Sequence, residues 1–214
     1  VPRPAEKRRP GVLLDRDGVL VRLVWRAGRW VSPRQLAEFA LLPGAAAAVA
    51  RLRAAGLPVV VVTNQPDLAR GLLEKQTLAE MHRRLAAQLG VDAIYVCPHD
   101  DADGCACRKP RPGLLLAAAR DFSLNLRRSF LVGDSWKDIA AGRAVGCLTV
   151  RVASPALEAE LGRADFSAAG IGAAAELILR TLCRLPRRHR IADPVANRAA
   201  RRVSRNLGLN RAVP

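Results

Sequence analysis

The chain has 214 residues, enough for one domain with a sizeable core, and half of them are apolar but only 4% aromatic, so that core must be built from Ala, Val and Leu. Its net charge of +16 gathers at the ends: residues 184–214 carry nine Arg against Asp193, and residues 1–10 add +3, which leaves the body at +5. The longest apolar stretch, 39–50, is far short of the ~20 residues a membrane span needs, and five cysteines, three of them clustered, do not make a secreted disulfide framework.

Residues 1–10 read as a basic extension. Short apolar runs at 12–14, 59–62, 93–96, 130–132 and 147–152 then alternate with helical patterns near 44–55, 74–89, 113–121 and 136–145. Runs that are apolar on both faces and separated by helices predict a buried parallel sheet of about five strands, an α/β fold with right-handed crossovers. Residues 155–183 read as a sixth small unit closed by a helix from Ala173. The domain is thus expected over 11–183. Beyond it, 184–214 offers Pro186, Pro194 and repeated Arg but no apolar face, and reads as a disordered tail that binds polyanions weakly. The stretch 11–20 is interrupted by Asp15, Arg16 and Asp17 and so does not read as a signal peptide. Clustered thiols fit a reducing cytoplasm, and a monomer is expected.

Polar residues collect where these strands end: Asp15, Thr63-Asn64-Gln65, Cys97 and Gly133-Asp134. Ligands of open parallel sheets gather at that edge. Asp15-Arg16-Asp17-Gly18 sets two carboxylates where both can face one centre, and Asp134 arrives from another strand; hard oxygens of this kind suit Mg²⁺. Asp-x-Asp-Gly alone also occurs in turns and calcium loops. Thr63 and Lys109 at the same edge make the set fit a phosphoryl group, whose charge must be cancelled before an anionic nucleophile can approach. One Asp can then attack phosphorus, and the other can protonate the leaving alkoxide and activate water. The spacing Cys97-x-His99-x5-Cys105-x-Cys107 offers three thiolates and one imidazole, the ligand set of a closed structural Zn²⁺ site, immediately before Arg108 and Lys109.

The ordered segments Leu14-Asp15-Arg16-Asp17-Gly18-Val19, Val62-Thr63-Asn64-Gln65, Cys107-Arg108-Lys109-Pro110 and Val132-Gly133-Asp134-x-x-x-Asp138 resemble the four motifs of haloacid dehalogenase-type phosphatases. The zinc loop before the lysine is similar to that of the heptose-bisphosphate and histidinol phosphatase branch. The resemblance implies a Rossmann-like, doubly wound sheet. It makes Asp15 the nucleophile and Asp17 the general acid/base. Mg²⁺ would lie on the Asp15 carboxylate, the Asp17 main-chain carbonyl and Asp134, with Asp138 supporting Lys109 or the metal shell. Thr63 and Lys109 would hold the phosphate, and Arg108, Asn64 and Arg70 would reach the rest of the substrate.

The substrate so implied is a small sugar phosphate, foremost a heptose 1,7-bisphosphate; histidinol phosphate and a phosphorylated nucleic-acid end are the alternatives. Between Asp15 and Thr63, and between Thr63 and Lys109, there is room for one helix, one strand and loops but for no cap domain. The site is therefore expected to be open, bordered by a flap over 19–43 and by the zinc loop. A different class, a zinc-containing nucleic-acid-binding module, has the basic ends in its favour, but the body lacks a basic surface interleaved with aromatics. His82, in an Arg-rich helical stretch, reads as a surface residue. Cys147 reads as an inert core thiol, and Trp30 as a flap aromatic that packs or stacks on a sugar.

Overall fold

The computed structural model of the chain describes residues 8–156, 163–184 and 211–212. Among them one parallel sheet dominates. Its strands are β1 (Val12–Leu14), β4 (Val59–Asn64), β5 (Ala93–Cys97), β6 (Phe130–Gly133), β7 (Leu148–Val152), β8 (Phe166–Ala168) and β9 (Arg211–Ala212), in the order β8-β7-β6-β1-β4-β5-β9. The remaining two, β2 (Val24–Arg26) and β3 (Arg29–Val31), pair with each other. The helices are α1 (Ala45–Ala54), α2 (Lys75–Leu89), α3 (Gly113–Asp121), α4 (Trp136–Ala144) and α5 (Ile171–Arg184).

The sheet is covered on both faces because its strands alternate between two apolar clusters. Val12, Leu14, Val59 and Val61 face the cluster that holds Val49 and Leu52 of α1, Met81 and Leu85 of α2 and Ile178 of α5. Leu13, Val60, Val62 and Leu131 face Leu114, Leu115 and Ala118 of α3 and Ala141 of α4. Val59, Val60, Val61 and Val62 are all fully buried, which explains an unbroken apolar run where a one-sided sheet would alternate. Each such side chain contributes about 1.5–3 kcal/mol of burial. The chain leaves β1 toward β4 and β5 on one side and returns to build β6, β7 and β8 on the other, so a crevice opens at the carboxyl end of β1.

The expected number of strands needs correction: β8 and β9 add one strand at each edge, making seven. Both are too short, at three and two residues, to leave a periodic signal. Of the tail expected to lack structure, Arg211–Ala212 pairs in parallel with Tyr95 and Val96 of β5; its other residues lie outside those described apart from Arg184, which ends α5. Residues 1–7 of the basic N-terminal extension lie outside as well. The hairpin β2–β3 was not expected either. It turns at Ala27 and Gly28, with φ of 47° and 79°, the two positive values of a type I′ hairpin loop. Across it Trp25 and Trp30 meet edge to face, ring centroids 5.2 Å apart. Neither interval between Asp15 and Lys109 holds a further domain; each is filled by short elements, among them this flap, and the Cys97–Cys107 loop follows β5.

Candidate active site

At the end of β1 the chain makes a tight turn, in which Leu20 and Val21 both donate their N–H to the Arg16 carbonyl. Gly18 permits it with a φ of 80°, and a Cβ there would lie 2.0 Å from Asp134 Oδ2, so position 18 must stay bare for Asp134 to stand beside the turn. Asp134 follows β6. Asp138 sits in the first turn of α4, where Ser135 caps the helix: the Ser135 hydroxyl donates to Asp138 Oδ2 at 2.6 Å, which frees Oδ1 to face the crevice. One carboxylate oxygen from each of Asp15, Asp134 and Asp138 comes within 4.8 Å of the others.

Lys109 enters this cluster from the loop that follows β5. Its buried ammonium, 2% exposed, donates to Asp15 Oδ1 at 2.7 Å, to Asp138 Oδ1 at 2.5 Å and to the Val62 carbonyl at 2.8 Å, which uses all three of its hydrogens. Burial works against that charge, but the two carboxylates outweigh it and raise the lysine pKa. Burial likewise pushes the Asp15 carboxyl up, against the pull of Lys109. Asp134 is pushed up to about 6 by burial and by the charge of Asp138, with the Ser154 hydroxyl opposing. Three carboxylates sharing one ammonium leave net negative charge in a crevice of hard oxygens, which fits a divalent cation such as Mg²⁺.

Asp17 is placed differently from the expectation that both carboxylates of the pair face one centre. Its carboxylate is outside the cluster of three. It is held by Arg16 Nε and Nη2 at 3.0 and 2.8 Å, by the Ser32 hydroxyl at 2.9 Å and by Gln65 Nε2 at 2.7 Å. Gln65 Nε2 also donates to Thr63 Oγ1 at 2.9 Å, so Asp17 stays one side chain away from Thr63 at the end of β4.

His82 also departs from expectation: it is fully buried, not on the surface. It shares the apolar stripe of α2 with Leu78, Leu85 and Leu89, a spacing visible in the sequence but masked by Arg83 and Arg84. Its Nε2 lies 2.9 Å from Arg16 Nη1 and must be the acceptor, since a guanidinium only donates. Arg16, itself wholly buried, is thereby pinned on both sides.

The expected substrate contacts are engaged within the protein. Asn64 clamps the peptide of Lys109: its Nδ2 donates to the Lys109 carbonyl at 3.0 Å, and its Oδ1 accepts from the Lys109 N–H at 3.1 Å. It therefore positions the lysine. Arg70 forms a two-pronged ion pair with Asp100 at 2.6 and 2.7 Å, and Arg108 one with Asp101 at 2.7 and 3.1 Å.

Cys97 at the end of β5 meets His99, Cys105 and Cys107. The contacts are 3.7 Å for Cys97–Cys105 and 3.4 Å for Cys105–Cys107 between sulfurs, and His99 Nδ1 lies 3.6 and 3.3 Å from Cys97 and Cys107. A tetrahedron with metal–sulfur bonds of about 2.3 Å has edges of about 3.8 Å, so the four atoms already stand near the corners of one. Cys147 is buried and its thiol is pushed up to about 12 by burial alone, as an inert core thiol should be.

A family model for haloacid dehalogenase-like hydrolases matches residues 23–146. The chain is 42% identical, over 64% of its own length and 76% of the relative's, to the D-glycero-beta-D-manno-heptose-1,7-bisphosphate 7-phosphatase of Bordetella bronchiseptica. It is 40% identical, over 66% and 78%, to the D-glycero-alpha-D-manno-heptose-1,7-bisphosphate 7-phosphatase of Mycobacterium tuberculosis. Among solved structures, the D,D-heptose 1,7-bisphosphate phosphatase of B. bronchiseptica, complexed with magnesium and phosphate, superposes with a TM-score of 0.70 at 37% identity, covering 80% of this chain and 99% of that one.

Proposed function

This chain belongs to the haloacid dehalogenase-like hydrolase family, and on that premise we propose that it removes the 7-phosphate of a D-glycero-D-manno-heptose 1,7-bisphosphate. It is a Mg²⁺-dependent sugar phosphatase. The observation that carries the assignment of residues is the Lys109 ammonium bridging Asp15 and Asp138, with Asp134 as the third carboxylate. A cation at Asp15, Asp134 and the Asp17 carbonyl would supply positive charge to the phosphoryl oxygens.

An oxygen of Asp15 attacks phosphorus and the ester P–O bond breaks, leaving an aspartyl-phosphate. Asp17, which takes up a proton from solvent when it leaves Arg16, gives that proton to the departing sugar oxygen. It then takes one from a water that attacks the same phosphorus, freeing Asp15 and inorganic phosphate. The Thr63 hydroxyl donates to a phosphoryl oxygen, and Lys109 turns to another the hydrogen it now gives to Asp15, once that carboxylate oxygen has bonded to phosphorus. To reach the leaving group, Asp17 exchanges its contacts with Arg16, Ser32 and Gln65 for the substrate. Phosphate release across heptose bisphosphates, histidinol phosphate and 3′-phosphorylated oligonucleotides tests the reading. Preference for either of the last two would replace the substrate.

The pH dependence of metal binding follows from Asp134. Because burial raises its carboxyl to about 6, the metal-free site holds a proton below that pH and loses it above. From that proton alone, apparent Mg²⁺ affinity should fall by up to about tenfold per unit below about pH 6. Asp15, also raised, extends the competition upward. Calorimetric titration at several pH values measures this, and an affinity indifferent to pH would remove Asp134 from the ligand set.

We assign the Cys97, His99, Cys105 and Cys107 cluster to a structural Zn²⁺, which fixes the loop carrying Arg108 and Lys109. Cys105→Ser or Cys107→Ser should lower zinc to well below one per chain and reduce activity, while the sheet persists, since structural zinc is worth on the order of 10 kcal/mol only where it organises the whole fold. Elemental analysis that finds no zinc in the parent protein would overturn it. Thiolate ligands of this kind fit a reducing cytoplasm. No helix among the described residues is long and apolar enough to cross a membrane. One chain supplies every residue of the site, so a monomer suffices.

A further inference from the structure

Arg108 is fixed in its place. Its neighbour Cys107 belongs to the metal cluster, its neighbour Lys109 is clamped by Asn64, and its own Nη1 donates to the His99 carbonyl at 3.2 Å. Its side chain is 8% exposed, whereas that of Asp101, its ion-pair partner, is 62% exposed. Asp101 opens a single 3-10 turn, Asp101–Asp103. The bonds that hold this turn run between Asp103 N–H and the Asp100 carbonyl, Asp100 N–H and Asp103 Oδ2, and Asp101 N–H and Asp100 Oδ1. None uses the Asp101 carboxylate. A second cation, Lys137, stands 3.8 Å from the same carboxylate. Two positive charges thus converge on one negative charge, which presents itself to the guanidinium in the paired-oxygen geometry of a phosphate.

We propose that Asp101 is a tethered stand-in for the second phosphate of the substrate, a carboxylate laid on Arg108 and Lys137 that a doubly phosphorylated sugar displaces. The inference rests on the substrate being a bisphosphate. Arg108 and Lys137 together attract a dianion more strongly than a single carboxylate, so the exchange favours the phosphate. A singly phosphorylated sugar gains nothing from it and leaves Asp101 in place. Asp101 is then a specificity determinant: it lowers affinity for the proper substrate slightly and keeps stray anions off Arg108.

The test uses full-length, Mg²⁺-loaded parent protein and Asp101→Asn. Steady-state kinetics compare heptose 1,7-bisphosphate with heptose 7-phosphate, and calorimetry follows the binding of inorganic phosphate. Losing one exposed ion pair should lower KM for the bisphosphate by about twofold to fivefold, with KM for the 7-phosphate and both kcat values unchanged. Inorganic phosphate should show a new or tighter second site in Asp101→Asn, absent again when Arg108→Met is added. Zinc content should match the parent and the thermal midpoint should fall by no more than about 4 °C, so that the split between the two KM values, which a merely structural ion pair would not produce, carries the result. A KM that falls for both sugars alike, or for neither, or a second phosphate site that does not change, overturns the proposal. If the parent hydrolyses neither heptose phosphate, the substrate reading fails by itself, and the phosphate titration alone decides the role of Asp101.

Discussion

Asp15→Asn should lower Mg²⁺-dependent phosphate release by about 10⁴-fold or more in a protein that folds as the parent does. The amide matches the carboxylate in size and can still accept from Lys109, so the geometry at the end of β1 has no reason to change. What disappears is the anionic oxygen that, in the proposed reaction, forms the bond to phosphorus. Stability should not fall. Burial raises the Asp15 carboxyl, so in the metal-free protein its ionised form is the disfavoured one, more so as pH rises through that raised value, and a neutral amide is spared the penalty. Phosphate release and thermal unfolding, measured on the same preparation, check the two halves. An Asp15→Asn protein that kept most of the parent's turnover would end the aspartyl-phosphate mechanism.

Lys109→Met should be damaging in both respects. The ammonium satisfies Asp15, Asp138 and the Val62 carbonyl at once, and no second cation among the described residues touches Asp138. Removing it leaves two crowded carboxylates without their counter-charge, a loss of about 3–5 kcal/mol. The phosphoryl group loses a fixed positive charge as well, worth about 10²–10³ in rate. Denaturant unfolding should therefore show a lower midpoint, and added Mg²⁺ should restore part of it by neutralising the same oxygens. A variant as stable as the parent would mean that the three contacts of Lys109 carry no net weight.

These residues were legible in the sequence for a physical reason. The run of four valines at 59–62 is apolar throughout because helices cover both faces of the sheet, and polar residues can follow it only where the strand leaves the core. Asp15, Thr63, Cys97 and Asp134 stand at such exits, so their common edge is legible in the sequence alone. What could not be read depends on contacts between distant segments. Trp25 and Trp30 alternate with arginines over strands of three residues, joined by Ala-Gly in place of Asn-Gly, and too few positions repeat to disclose a hairpin. His82 sits in a charged stretch, and only the register of Leu78, Leu85 and Leu89 betrays its inward face. That Asp17 rests on Arg16, that Asn64 holds the Lys109 peptide and that Arg70 is paired with Asp100 are facts of side-chain choice among several nearby partners, which spacing cannot rank.

The bare backbone at Gly18 bears on how this protein can change over time. Every other amino acid at that position would meet two penalties at once: a left-handed φ, costing on the order of 1 kcal/mol, and a Cβ intruding on the carboxylate of Asp134. The first could be offset by a stabilising substitution anywhere in the domain. The second could not, because relief requires Asp134 to move or be lost, and its carboxylate is part of the acidic cluster. No path of single substitutions therefore leads through position 18 without passing a form in which the acidic cluster is disturbed. A residue with no side chain is held as tightly as the carboxylate of Asp15 three positions before it.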